Sequence, residues 1–118
     1  MRTMNNQAFR RMSDDYLQLA MAAAPLDVGA GDASTAFQAG YFALLSALEA
    51  AELTQLGDHP NAQVARLGAE RLGLTVDDRA FAEEVATCYY ASNLSDLVQL
   101  SVCLDWARRA RQAAGWGD

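Results

Sequence analysis

Lysine is missing from this chain: all nine of its basic residues are arginine. That excludes Schiff-base chemistry and the lysine-dependent phosphate loop, since both need an amine at the working position. Histidine is almost as scarce. His59 stands alone, and histidine is the side chain whose unperturbed pKa lies near neutrality. The two cysteines, Cys88 and Cys103, form neither a CxxC redox pair nor a zinc-binding set. Their apolar, helical surroundings predict buried thiols in a reducing compartment. No apolar run is long enough for a transmembrane helix. The residues Met1-Arg2-Thr3-Met4-Asn5-Asn6 lack the apolar stretch of a secretory signal. A cytoplasmic protein without a membrane span is therefore expected. Alternation of β-branched residues is absent as well, so no strand is predicted.

What remains is a chain of 118 residues, 52% hydrophobic, which suffices for one domain with an ordinary core. Its formal net charge is -6. The arginines fall in separate groups: Arg2 with Arg10 and Arg11; Arg66 with Arg71; Arg79; and Arg108, Arg109 and Arg111. A general affinity for nucleic acid is not expected, because phosphate binding calls for a concentrated basic surface. A local basic face at either terminus stays open.

Spacing of apolar residues predicts five helices over 5–24, 32–56, 60–73, 75–92 and 95–114. In the first, Phe9, Met12, Tyr16, Leu19, Ala20 and Ala23 recur at three- and four-residue intervals, making one apolar stripe. Pro25 stops it, since the residue before a proline leaves the α region. Asp32 or Ser34 is placed to cap the second helix. Phe37, Tyr41, Leu44, Leu45, Leu48, Ala51 and Leu53 line that helix, with Glu49 and Glu52 set for solvent. Gly40 inside it costs up to about 1 kcal/mol relative to alanine, which marks either a close helix crossing or simple tolerance. Pro60 suits a first helical position, capped by Asp58 or His59. Val64, Leu67 and Leu72 face inward and Gly73 ends the third helix. Thr75-Val76-Asp77-Asp78 reads as a capped start with acids at the positive end of the dipole. Val76, Phe81, Val85, Cys88 and Tyr89 follow as the buried side of the fourth helix, interrupted at Ser92-Asn93. Leu97, Leu100, Leu104 and Ala107 serve the fifth, and Gly115-Trp116-Gly117-Asp118 trails outside it. The fold class is thus all-α, an up-down bundle of four to five helices in one domain spanning 1–118.

Few residues can carry chemistry. His59 is the natural general base, yet beside a proline at a helix start it serves equally as a cap. Neither cysteine lies near a helix start or a cation, so no activated thiol is expected. One histidine and dispersed acids supply no metal site, and no cofactor is implied. Asp14-Asp15, Asp77-Asp78 and Glu83-Glu84 are neighbours in sequence, which points them in different directions on a helix. Tyr89 faces the expected core and leaves Tyr90 outside. Trp106 lies off the Leu100–Leu104–Ala107 stripe beside Arg109, an arrangement that suits an interface anchor or a wide buried face. Tyr90, Trp106 and Arg109 are the interface candidates.

Two stretches together resemble the HEPN superfamily of small helical bundles. One is Phe37-Gln38-Ala39-Gly40-Tyr41-Phe42-Ala43-Leu44-Leu45-Ser46-Ala47-Leu48, followed by the histidine-bearing loop Gly57-Asp58-His59-Pro60-Asn61. The other is Ala86-Thr87-Cys88-Tyr89-Tyr90-Ala91-Ser92-Asn93-Leu94, similar to that family's tyrosine and polar turn before the last long helix. Active members are metal-independent ribonucleases in which an arginine shortly precedes a histidine and two protomers join their motifs. Here the residues five to seven before His59 are Thr54, Leu53 and Glu52, and Thr87 and Cys88 stand where an arginine often precedes the tyrosine. The resemblance therefore implies the non-catalytic branch: a homodimeric module that binds a partner protein in a bacterial accessory or defence-type system. Two alternatives are a ribonuclease with a rearranged site built on His59 and Arg66, and an acidic immunity protein or antitoxin that neutralises a basic partner.

Overall fold

The computed structural model describes residues 2–23, 30–57, 59–90 and 98–117. Among them are six helices and no strand: α1 (Arg2–Ala23), α2 (Ala30–Ser46), α3 (Ala50–Leu56), α4 (Ala62–Leu72), α5 (Val76–Thr87) and α6 (Leu100–Ala113). The all-α expectation holds, with one helix more than the five predicted.

α2 is the central element, and its composition explains why. Ala33, Ala36, Phe37, Ala39 and the run from Tyr41 to Leu45 are all buried. A helix that is apolar on every side belongs inside a bundle, and α2 packs against α1, α4 and α6. Its small residues set how closely they approach. A Cβ at Gly40 would overlap the Trp106 ring and lie 2.8 Å from the Ala107 Cα, so α6 crosses α2 at van der Waals distance from its backbone. Gly68 of α4 makes a second close approach, where a Cβ would come 2.7 Å from the Leu44 carbonyl oxygen. Of the two readings of Gly40, the structure selects the helix crossing.

The single long helix predicted over 32–56 is two helices. α2 closes in a tightened turn, with the Ala47 and Leu48 amides donating to the Leu44 and Leu45 carbonyls at 3.1 and 3.0 Å. The Ser46 hydroxyl donates to the Ala43 carbonyl at 2.7 Å, an alternative partner that helix-interior serine readily takes. Glu49 is then extended, and its amide donates to the Glu52 carboxylate at 2.8 Å. This capping contact restarts the chain as α3 without any proline or glycine at the break. The bend buries Leu48 but leaves Ala51 exposed. Glu52, predicted for solvent, is half-buried and receives both guanidinium nitrogens of Arg71.

Other boundaries shift for equally local reasons. α4 starts after Pro60, because the Asn61 carboxamide oxygen accepts from the Val64 amide at 2.9 Å and so takes the capping role expected of Asp58 or His59. Asp58 itself lies outside the described residues. Gly73 ends α4 as predicted, its amide reaching the Ala69 and Glu70 carbonyls. Thr75 caps α5, accepting from the Asp78 amide at 3.1 Å, whereas Val76 is 69% exposed rather than inward. α5 stops at Thr87, short of the predicted residue 92. The expected interruption at Ser92-Asn93, the helix start at residue 95 and the inward Leu97 lie outside the described residues, as does Pro25. α2 begins at Ala30, ahead of the expected caps at Asp32 and Ser34.

Gly40→Ala should destabilise the protein by about 1–3 kcal/mol through overpacking against α6. The check is the urea midpoint at constant denaturant slope; an unchanged midpoint would mean that the crossing relaxes freely.

Candidate protein-interaction site

The residues that sequence reasoning favoured for chemistry are not brought together. His59 is exposed, and what the fold uses is its carbonyl, which accepts from the Tyr41 hydroxyl at 3.0 Å and the Asn61 carboxamide at 2.8 Å. Arg66 pairs with Glu83 at 3.3 Å across α4 and α5. No hydrogen bond or ion pair joins His59 to Arg66. Cys103 is buried, and burial together with the nearby Cys88 thiol pushes its pKa up to about 12. It stays protonated near neutrality and offers no nucleophile. Cys88 is half-buried rather than fully enclosed, and both cysteines are free thiols. Among the described residues, no three His, Cys, Asp or Glu side chains converge on a point that could hold a metal ion. No described helix is long and apolar enough to cross a membrane.

The interface candidates divide. Trp106 is 0% exposed and belongs to the core, which corrects the expectation of a surface anchor. Its ring stacks on Phe37 at 4.9 Å and meets Phe81 at 5.5 Å, while its indole N–H donates to the Asp78 carbonyl at 3.1 Å. The stripe assumed for α6 was too narrow: Cys103, Trp106, Ala110 and Arg111 share its buried side with Leu104 and Ala107. Arg109 is exposed but held, donating to both Asp78 oxygens at 2.9 and 3.0 Å. That hydrogen bond, reinforced by the nearby negative charge, raises the pKa of its guanidinium further. Tyr90 is 70% exposed, with its ring edge-on to Tyr89 at 5.0 Å. Of the three candidates, Tyr90 is the one that presents an unenclosed aromatic ring.

α1 carries the feature that the sequence reading missed. It has two apolar sides. The docked side is Ser13, Leu17 and Ala20, all buried; of the stripe read from spacing (Phe9, Met12, Tyr16, Leu19, Ala20 and Ala23), Ala20 is docked, whereas Met12 and Leu19 are exposed. Ser13 is polar, which hid that side. Its hydroxyl donates to the Ala39 carbonyl of α2 and accepts from Arg111 at 2.6 Å. Arg111 also donates to Asp14 at 2.7 Å and lies 5.9 Å from the Trp116 ring centre. This buried guanidinium ties α1 to α6. Along the assumed stripe, Phe9 and Tyr16 are half-buried against Phe42 at 6.1 and 5.6 Å. Met12 and Leu19, however, are 44% and 61% exposed. With Asp15 and Tyr16 they line a shallow groove of about 260 Å³. A larger groove of about 630 Å³ runs past Ser46, Glu49, Arg71 and Trp116. It contains no histidine or cysteine, and its arginine is engaged by Glu52.

No family model, characterised protein or solved structure matches the chain.

Removing the buried tie should matter more than removing a surface pair. Arg111→Ala should cost about 2–4 kcal/mol, less than a fully enclosed pair because Asp14 reaches water. Arg66→Ala should stay within about 0.5 kcal/mol. Equal losses in chemical denaturation would contradict the role given to Arg111.

Proposed function

We propose that the chain is a non-catalytic, HEPN-like helical module of a bacterial accessory or defence-type system, acting by protein contact through the outward side of α1. The observation that carries this reading is that α1 is apolar on two sides while the bundle covers one. A scattered exposed leucine or methionine needs no explanation. Met12 and Leu19 are different, because they are seven residues apart on one helical face and share a groove with Tyr16. Such spacing is how a helix meets a protein partner. The ribonuclease alternative has less support, since Arg66 pairs with Glu83 and no hydrogen bond or ion pair joins it to His59, of which the fold uses the carbonyl.

The test is affinity capture from the source cells with tagged wild type, Leu19→Glu and His59→Ala. Wild type and His59→Ala should retain the same bound protein. Leu19→Glu should lose it while keeping its helical circular dichroism and melting temperature. Identical capture by all three variants would overturn the reading, as would chelator-resistant RNA cleavage that vanishes in His59→Ala.

A further inference from the structure

Three of the helices run the same way and finish together. The α2 backbone at Gly40 touches α6 at Ala107, and the α4 backbone at Gly68 touches α2 at Leu44. Ser46 and Ala113 lie equally far along their helices from the first contact, and Ala47 and Arg71 equally far from the second. All four line the groove of about 630 Å³, so the carboxyl-terminal ends of α2, α4 and α6 meet there. The Tyr41 hydroxyl, earlier in α2, meets the His59 carbonyl ahead of α4 at 3.0 Å, which fixes the same direction.

Parallel helices do not cancel one another's dipoles. The last carbonyls of each helix have no partner within it, and each such end carries roughly half a negative charge. The chain's own cations gather at this place. Arg71 lines the groove and is held by Glu52. Arg111 lies 5.9 Å from the Trp116 ring centre and is held by Asp14. Arg10 donates to the Trp116 carbonyl at 3.4 Å. With Glu49 in the lining, three carboxylates match these three guanidinium groups, which leaves the negative charge of the three helix ends in excess.

We infer that the groove binds an organic cation, an ammonium or guanidinium group, between the Glu49 carboxylate and the half-buried Trp116 ring. Both side chains line it. A carboxylate makes charge-assisted hydrogen bonds to such a group, and an indole face attracts it. An anion would be repelled by Glu49 and by the helix ends at once. The volume is that of a small-molecule site. None of the described lining residues belongs to α1, so the groove stands or falls apart from the α1 face.

The experiment is a titration of the full chain at low salt, followed by heteronuclear magnetic resonance, with spermidine and separately with acetylarginine amide. Trp106 is buried and Trp116 lines the groove, so their indole N–H signals report the core and the site independently. The Trp116 signal should shift and saturate with a dissociation constant on the order of 1 mM, while the Trp106 signal stays in place. Glu49→Gln should weaken binding by about 10-fold. Glu84→Gln, at an exposed acid outside the groove, should leave it unchanged. Tighter saturation by spermidine assigns a free amine as the occupant, and tighter saturation by acetylarginine amide assigns an arginine side chain of another protein. A Trp116 signal that does not move with either probe up to about 10 mM would overturn the inference. Equal losses in the Glu49 and Glu84 variants would also overturn it, since they would mean diffuse attraction to an acidic chain.

Discussion

Trp106 against Gly40 is the contact on which the other positions in this bundle depend. The absent Cβ lets the indole lie on the α2 backbone, where it stacks on Phe37 and meets Phe81. Its N–H reaches the Asp78 carbonyl, so a single side chain joins α2, α5 and α6. The same Asp78 then uses its carboxylate to hold Arg109. A buried indole requires a hydrogen-bond acceptor, and the first turn of α5 supplies it. Thr75 fixes that turn by capping it. The crossing, the cap and the ion pair are in this way one connected arrangement.

The absence of lysine has a structural counterpart. Arg71 grips both oxygens of Glu52, Arg109 both oxygens of Asp78, and Arg111 donates to Ser13 and Asp14 together. A planar guanidinium can make such paired bonds, whereas an ammonium acts as a point charge. Arginines occupied in this way fasten α3 to α4, α5 to α6 and α1 to α6. They do not assemble a basic surface, which agrees with the acidic net charge of -6. Among the described residues Arg11, Arg79 and Arg108 take no part in this fastening, and Arg11 is exposed on α1.

The helical class, the buried residues of α2, the Thr75 cap and the Gly73 stop were legible from spacing and capping chemistry. Three things were not. The break before α3 depends on a Glu49 amide bonded to Glu52, and a glutamate pair in a helical stretch reads as a solvated surface. Which of the two readings of Trp106 holds, interface anchor or wide buried face, depends on Gly40 lying opposite it, a tertiary pairing that spacing leaves open. The docked side of α1 runs through Ser13, and apolar periodicity skips a serine whose hydroxyl is satisfied by a carbonyl and a guanidinium. The stripe read from spacing joined the docked Ala20 to the exposed Met12 and Leu19, which hid the candidate site. Tyr90 was placed correctly at the surface, whereas Trp106 was displaced into the core by the breadth of the α6 contact.

The proposed function rests on that asymmetry of α1. The central claim is that its outward side is covered when the protein works, and methionine oxidation in cell extract against the purified, dilute chain tests it directly. Met12 and Met21 are almost equally exposed, at 44% and 45%, and nine residues place them about half a turn apart on the helix. The account predicts that Met12 is protected from peroxide in extract while Met21 oxidises as it does in the dilute chain. Equal oxidation of both methionines in the two preparations would contradict it.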